Sequence, residues 1–278
     1  MRKIERTGKM NENAVDLADI ECFVLDMDGT INLGYTLIDG AKEFIETLQK
    51  KNIKFYFFTN NSSKAPVDYV IKLEKLGFTG MTREHIMTSG DVMIHYIKTN
   101  KPNAKVYLAG TPQLEAQFEE AGIALLAADA QTADYAVLGF DRTFTFEKAD
   151  TLSRLITSGV PFVATNIDKV CPLEDGKFCP DCASMAKMIT HATDVEPKFV
   201  GKPFKETVDY ILAKTGTDKN KTAMVGDRLY TDIKTAQNGG IVGIAVLSGE
   251  ISYDDIRKSD VSPDYILDSV RGIYDAIK

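Results

Sequence analysis

The sequence predicts an α/β protein in which a doubly wound, parallel sheet carries a second α/β unit inserted into it. Two observations carry that reading. Short apolar runs alternate with helical patterns in the order βαβα at the start of the chain, and the pattern restarts near Thr82 before the first theme returns close to Phe199. In addition, three of the apolar runs end in acids, hydroxyls or glycines, and ligands of open parallel sheets bind at those carboxyl ends.

In chain order, Met1 to Leu17 is polar and weakly patterned and reads as a peripheral start. Ile20 to Leu25 is a buried strand that runs into Asp26-Met27-Asp28-Gly29-Thr30. Ala41, Phe44, Ile45 and Leu48 fall on one face of a helix, and Ile53 to Phe58 is a strand delivering Thr59-Asn60-Asn61-Ser62-Ser63. A second helix follows with Val67, Val70, Ile71 and Leu76 inward and Gly77 at its stop.

Within the insertion, helices are expected at Ile86 to Lys98, Leu114 to Ala121, around Leu152, Leu155 and Ile156, and around Met185, Met188 and Ile189. Strands are expected at Lys105 to Ala109, Tyr135 to Gly139 and Pro161 to Thr165, and the methionines read as core. The first theme then resumes with Phe199-Val200-Gly201-Lys202-Pro203-Phe204, a helix with Val208, Ile211 and Leu212 inward, and the strand Thr222 to Val225 running into Gly226-Asp227. Ile241 to Leu247 and Tyr265 to Leu267 complete the sheet. The expected division is therefore residues 1–82 and 194–278 for the core, with 1–17 peripheral, and 83–193 for the inserted cap.

At 278 residues with 44% hydrophobic residues, the chain is long enough for two packed cores. No apolar run reaches the ~18 residues of a membrane span, and the charged start is unlike a signal peptide, so a cytoplasmic protein is expected. A net charge of -7 argues against a nucleic-acid partner, which needs clustered Lys and Arg. Cys22 lies in the first strand and reads as buried. Cys171, Cys179 and Cys182, with His191, have a spacing that a zinc ion could use, although paired C-x2-C knuckles are the usual form, and a disulfide is not expected in a reducing compartment.

Asp26 and Asp28 lie two apart, so on continuing strand geometry their carboxylates would share one side and call for a cation or a shared proton. Taken alone, Asp-x-Asp-Gly is an ordinary turn, Thr-Asn-Asn-Ser-Ser an ordinary helix cap, and Gly-Lys-Pro an ordinary loop. If the strand ends are neighbours, one crevice collects several carboxylates, a hydroxyl, free backbone N–H groups and the Lys202 ammonium, which suits Mg2+ plus phosphate. Asp26 and Asp227 are then the direct metal ligands, with Asp232 supporting through water or Lys202. Asp26 would attack phosphorus, Thr59, Asn60 and Lys202 would hold the phosphate, and Asp28 would carry the proton, for which its pKa must be raised.

These motifs, in this order, resemble the four motifs of the haloacid dehalogenase superfamily: Asp26 and Asp28, Thr59, Lys202, and Asp227 with Asp232. The resemblance covers nearly the whole chain from about Asp19 and implies a Mg2+-dependent phosphatase with an aspartyl-phosphate intermediate, Asp28 lending its backbone carbonyl to the metal. The position of the insertion, Thr-Asn-Asn-Ser after the second strand, and Ala-Thr-Asn-x-Asp at Ala164 to Asp168 resemble the class IIA, NagD-like and p-nitrophenylphosphatase-like branch. Members of that branch commonly carry Pro-Gly-x-Gly in the cap loop facing the substrate, where this chain has Pro180-Asp181-Cys182-Ala183.

Asp181, Cys182 and Ser184 are accordingly expected to influence substrate choice, and the segments Thr82 to Glu84 and Val195 to Lys198 to act as hinges. The expected partner is a small phosphorylated metabolite such as a sugar phosphate or nucleotide, and cap surfaces could pair two subunits. Transfer to an alcohol acceptor and a non-catalytic metabolite-binding module are the competing functions.

Overall fold

The computed structural model describes residues 8–173 and 176–278, so the peripheral start expected for Met1 to Leu17 is followed from Gly8 onward and Met1 to Thr7 lie outside the described residues. The chain divides into two compact units. The first comprises the residues up to Thr59, Tyr69–Met87 and Lys202–Lys278, and the second comprises Asn60–Asp68 and Thr88–Gly201. The sequence reading placed the insertion at 83–193; here Asn60 is counted with the second unit, and the chain returns to the first at Lys202.

The first unit is built on a six-stranded sheet whose spatial order is Tyr265–Leu267, Val242–Val246, Thr222–Gly226, Cys22–Leu25, Lys54–Thr59 and Ile86–Thr88. The Cys22–Leu25 strand is parallel to both of its neighbours, and strand order reverses around it, since the chain runs on to Lys54–Thr59 on one side and comes back to Thr222–Gly226 on the other. All four residues of this strand are fully buried, as a central parallel strand covered on both faces requires. The register pairs Leu25 with Val225 and with Phe57, so Asp26 leaves the sheet level with Gly226 and Phe58.

The Ala41–Lys51 helix buries Ala41, Phe44, Ile45 and Leu48, the face its spacing predicts, and Phe44 meets Phe23 edge-on at 5.4 Å between ring centroids. Burial of each large side chain there contributes about 1.5–3 kcal/mol. Two expectations are corrected in the neighbouring segments. Ile86–Thr88 is an edge strand and the helix begins only at Ser89, because an apolar run as short as Ile86-Met87 fits either period. In the Pro66–Lys75 helix and the turn after it, Tyr69, Leu73 and Leu76 are buried while Val67 and Ile71 are exposed, so the i, i+4, i+7 stripe through Tyr69 sets the inward face.

The second unit has a five-stranded parallel sheet in the order Lys198–Phe199, Phe162–Ala164, Tyr135–Leu138, Lys105–Ala109 and Ala124–Leu125. Its core gathers Tyr107, Leu138, Phe140, Leu152, Leu155, Ile156, Phe162 and Ile189. Met185 packs against that core, whereas Met188, expected inside, is 49% exposed. A separate antiparallel ribbon pairs Val170–Pro172 with Phe178–Pro180. Among the described residues no helix is long and apolar enough to cross a membrane.

Candidate active site

The ladder carries one step beyond the Cys22–Leu25 strand, where the Asp26 N–H donates to the Val225 carbonyl. The chain then turns, and the Met27 carbonyl accepts from the N–H groups of Thr30, Ile31 and Asn32. The strand geometry on which Asp26 and Asp28 would share one side therefore stops at Leu25, and the two carboxylates have separate partners. Asp26 Oδ1 accepts from Lys202 Nζ at 2.5 Å. Asp28 Oδ1 accepts from Asn32 Nδ2 at 2.7 Å and from Lys72 Nζ at 2.9 Å, and its side chain is 63% exposed.

Lys202 is buried and also donates to Asp232 Oδ1 at 2.6 Å, with its ammonium 5.3 Å from the centre of the Phe58 ring. Burial alone would lower its pKa, but the Asp232 and Asp26 carboxylates outweigh that and hold it above its ordinary value. Asp232 sits in a π-helical turn, Leu229–Ile233, and its second oxygen accepts from the Arg228 N–H. Burial pushes the Asp232 carboxyl up to about 7 despite Lys202, helped by the charges of Asp26 and Asp227. Asp227 rises to about 6 for the same reason, burial first and then the neighbouring Asp26.

Asp227 is reached through two glycines. A Cβ on Gly29, which has φ +91°, would collide with Asp227 Oδ2, and one on Gly249 would collide with the same oxygen. That oxygen accepts from the Glu250 N–H at 2.8 Å, and Ser248 Oγ donates to the Gly29 carbonyl at 2.7 Å. The segment Ser248 to Glu250 is thus part of the site, although nothing in its residue types announced it. Asn32 and Lys72, the donors that hold Asp28, were also missed.

Asp26, Asp227 and Asp232 each offer an oxygen within 4.8 Å of the others. Three carboxylates against one contacting ammonium leave an excess of negative charge in an all-oxygen donor set, which fits a hard divalent cation such as Mg2+. Thr59 ends the neighbouring Lys54–Thr59 strand of the same unit.

The remaining predicted residues lie in the second unit. Asn60 donates through Nδ2 to Asp168 Oδ2 at 2.9 Å, and its carbonyl accepts from Ser89 Oγ. Asp181 caps the Cys182–Thr193 helix, its Oδ1 accepting from the Cys182 N–H at 2.6 Å and from Asn166 Nδ2 at 3.0 Å. Cys182 is fully buried, with Sγ 3.6 Å from both the Thr165 hydroxyl and the Leu138 carbonyl. Ser184 Oγ donates to the Lys169 carbonyl. Among the described residues Cys171, Cys179, Cys182 and His191 do not meet as a ligand set.

Comparison with known proteins agrees with this geometry. Residues 23–124 match the family model of haloacid dehalogenase-like hydrolases, and residues 199–273 match a second, HAD-hydrolase-like model. The chain belongs to the haloacid dehalogenase-like hydrolase family. Over 245 residues it is 34% identical to an acid sugar phosphatase of Staphylococcus epidermidis, covering 88% of this chain and 93% of the relative. The crystal structure of a 4-nitrophenylphosphatase from Thermotoga maritima superposes with a TM-score of 0.87 at 39% identity, covering 94% of this chain and 99% of the other. NagD from E. coli K-12 gives 0.82 at 25% identity, covering 91% and 97%. Within the family the chain is a NagD-like phosphatase.

Proposed function

We propose that the protein is a Mg2+-dependent phosphomonoesterase that hydrolyses a small-metabolite phosphate, with sugar phosphates the first class to test, through an aspartyl phosphate on Asp26. The observation that carries this reading is the buried Lys202 ammonium, which bridges Asp26 and Asp232 beside Asp227. The name of the acid sugar phosphatase relatives supports the substrate class.

Asp26 and Asp227 would hold the metal, with the Asp28 backbone carbonyl, and Asp232 would support them through Lys202. When bound, Mg2+ offsets the repulsion between carboxylates and phosphate and stabilises charge on the phosphoryl oxygens. An Asp26 oxygen attacks phosphorus and the ester P–O bond breaks. Asp28 gives its proton to the departing oxygen, then takes one from the water that attacks the acyl phosphate, which frees inorganic phosphate and restores Asp26. The exposure of Asp28 supports this role, since a proton carrier must exchange with water. Lys202, Thr59 and Asn60 hold the phosphate.

Asp181, Cys182 and Ser184 would act on substrate choice by fixing how the Cys182–Thr193 helix starts, because their polar groups are engaged by the Cys182 N–H and by the Leu138 and Lys169 carbonyls. Substitutions there should change relative rates across a panel of esters. The test of the whole reading is phosphate release from that panel with Mg2+ and after chelation. Release that depends on Mg2+ is expected, and no release from any ester by metal-loaded protein would overturn the proposal.

A further inference from the structure

Two of the cysteines that the sequence offered as metal ligands stand directly opposite each other on the Val170–Pro172 and Phe178–Pro180 ribbon, Cys171 against Cys179. Directly opposed residues of an antiparallel ladder point to the same face. The rungs on either side, Leu173 N–H to the Lys177 carbonyl and Asp181 N–H to the Lys169 carbonyl, recur every second residue and place the cysteine pair in the hydrogen-bonded class. Such pairs have Cα atoms about 5.5 Å apart, inside the range that a disulfide spans. The ribbon is only two strands wide, so no further strand resists a small contraction.

All four cysteines are free thiols, Cys171 and Cys179 partly exposed, Cys22 and Cys182 buried. Burial, then the charges of Asp181 and Cys179, pushes the Cys171 thiol up to about 12, so Cys171 is a poor first nucleophile.

We propose that Cys171 and Cys179 are an oxidisable dithiol, closed to a disulfide within the ribbon by exchange with a low-molecular-weight disulfide. The Cys179 thiolate attacks one sulfur of the disulfide RSSR, forming a mixed disulfide and releasing RS−. Cys171 loses its proton and attacks Cys179 Sγ, releasing the second RS−. Two protein thiols and RSSR become one protein disulfide and two RSH, with the two thiol protons taken up by the released thiolates. Closure ties the ribbon together immediately before the Cys182–Thr193 helix.

The test is incubation of the native protein with oxidised glutathione, followed by intact mass and peptide mapping. The expected result is loss of two hydrogen atoms with no glutathione retained, reversal by dithiothreitol, and tryptic peptides on either side of Lys177 that stay joined through Cys171 and Cys179. Because Cys179 and Cys182 share a tryptic peptide, fragmentation of the joined pair assigns the bond between them. Cys171→Ser should instead retain one glutathione on Cys179. An unmodified wild-type protein, a glutathione adduct that persists on it, or a crosslink that maps to Cys182 or Cys22 would overturn the proposal. The wild-type map decides the matter alone if the variant does not fold.

Discussion

Each unit of the molecule gathers buried carboxylates in the turns that follow its strands, and the two clusters differ in what satisfies them. In the first unit, Asp26, Asp227 and Asp232 surround one ammonium and retain an excess of negative charge. In the second, Asp168 and Asp181 share the neutral Asn166 amide, and Asp168 also takes the amide of Asn60. Amides can orient carboxylates without neutralising them, whereas the all-oxygen donor set of the first cluster fits a hard cation.

The sharpest way to break that contrast is Asp26→Asn, which should lower turnover by about 10^4-fold with the fold intact. Near-normal phosphate release would remove the nucleophile assignment. Lys202→Met should cost about 10^2–10^3-fold in kcat/KM, the scale of one lost charge-stabilising donor, and steady-state kinetics would check it.

Burial of the cluster, reinforced by its neighbouring carboxylates, also predicts a pH effect in metal-free protein. Asp227 and Asp232 have folded pKa values raised above their unfolded values, so the native state binds more protons between the ordinary carboxylate range and about 7. Stability in chelator should rise by about 2 kcal/mol as pH falls from 8 to 5.5, and saturating Mg2+ should remove that gain. Urea midpoints across this range, with chelator and with Mg2+, would show it. The smallest effect is expected in the second unit, where Asp168→Asn removes a buried charge whose Oδ1 has no partner among the described residues. Its stability should change by less than about 1 kcal/mol in the same assay.

Much of the first cluster was legible because Asp26, Lys202, Asp227 and Asp232 occur in short patterns at the ends of recognisable apolar runs. Glu250, Gly249 and Gly29 were not legible as a group, since their meeting at Asp227 is a through-space approach between segments far apart in sequence. The parting of Asp26 from Asp28 was hidden for a related reason, as the turn after Leu25 depends on carbonyl and N–H pairing that residue types do not encode. Ile86–Thr88 and the Tyr69 stripe show the limit of periodicity in short segments, where two apolar faces compete and packing decides.

On the proposed mechanism Asp26 carries the phosphoryl group. Rapid quench of the Mg2+-loaded enzyme during turnover, with borohydride reduction and peptide mapping, tests it most directly. Reduction of the acyl phosphate at Asp26 is the predicted result. Full turnover with no reducible acyl phosphate at Asp26, or with one at another residue, would contradict the account.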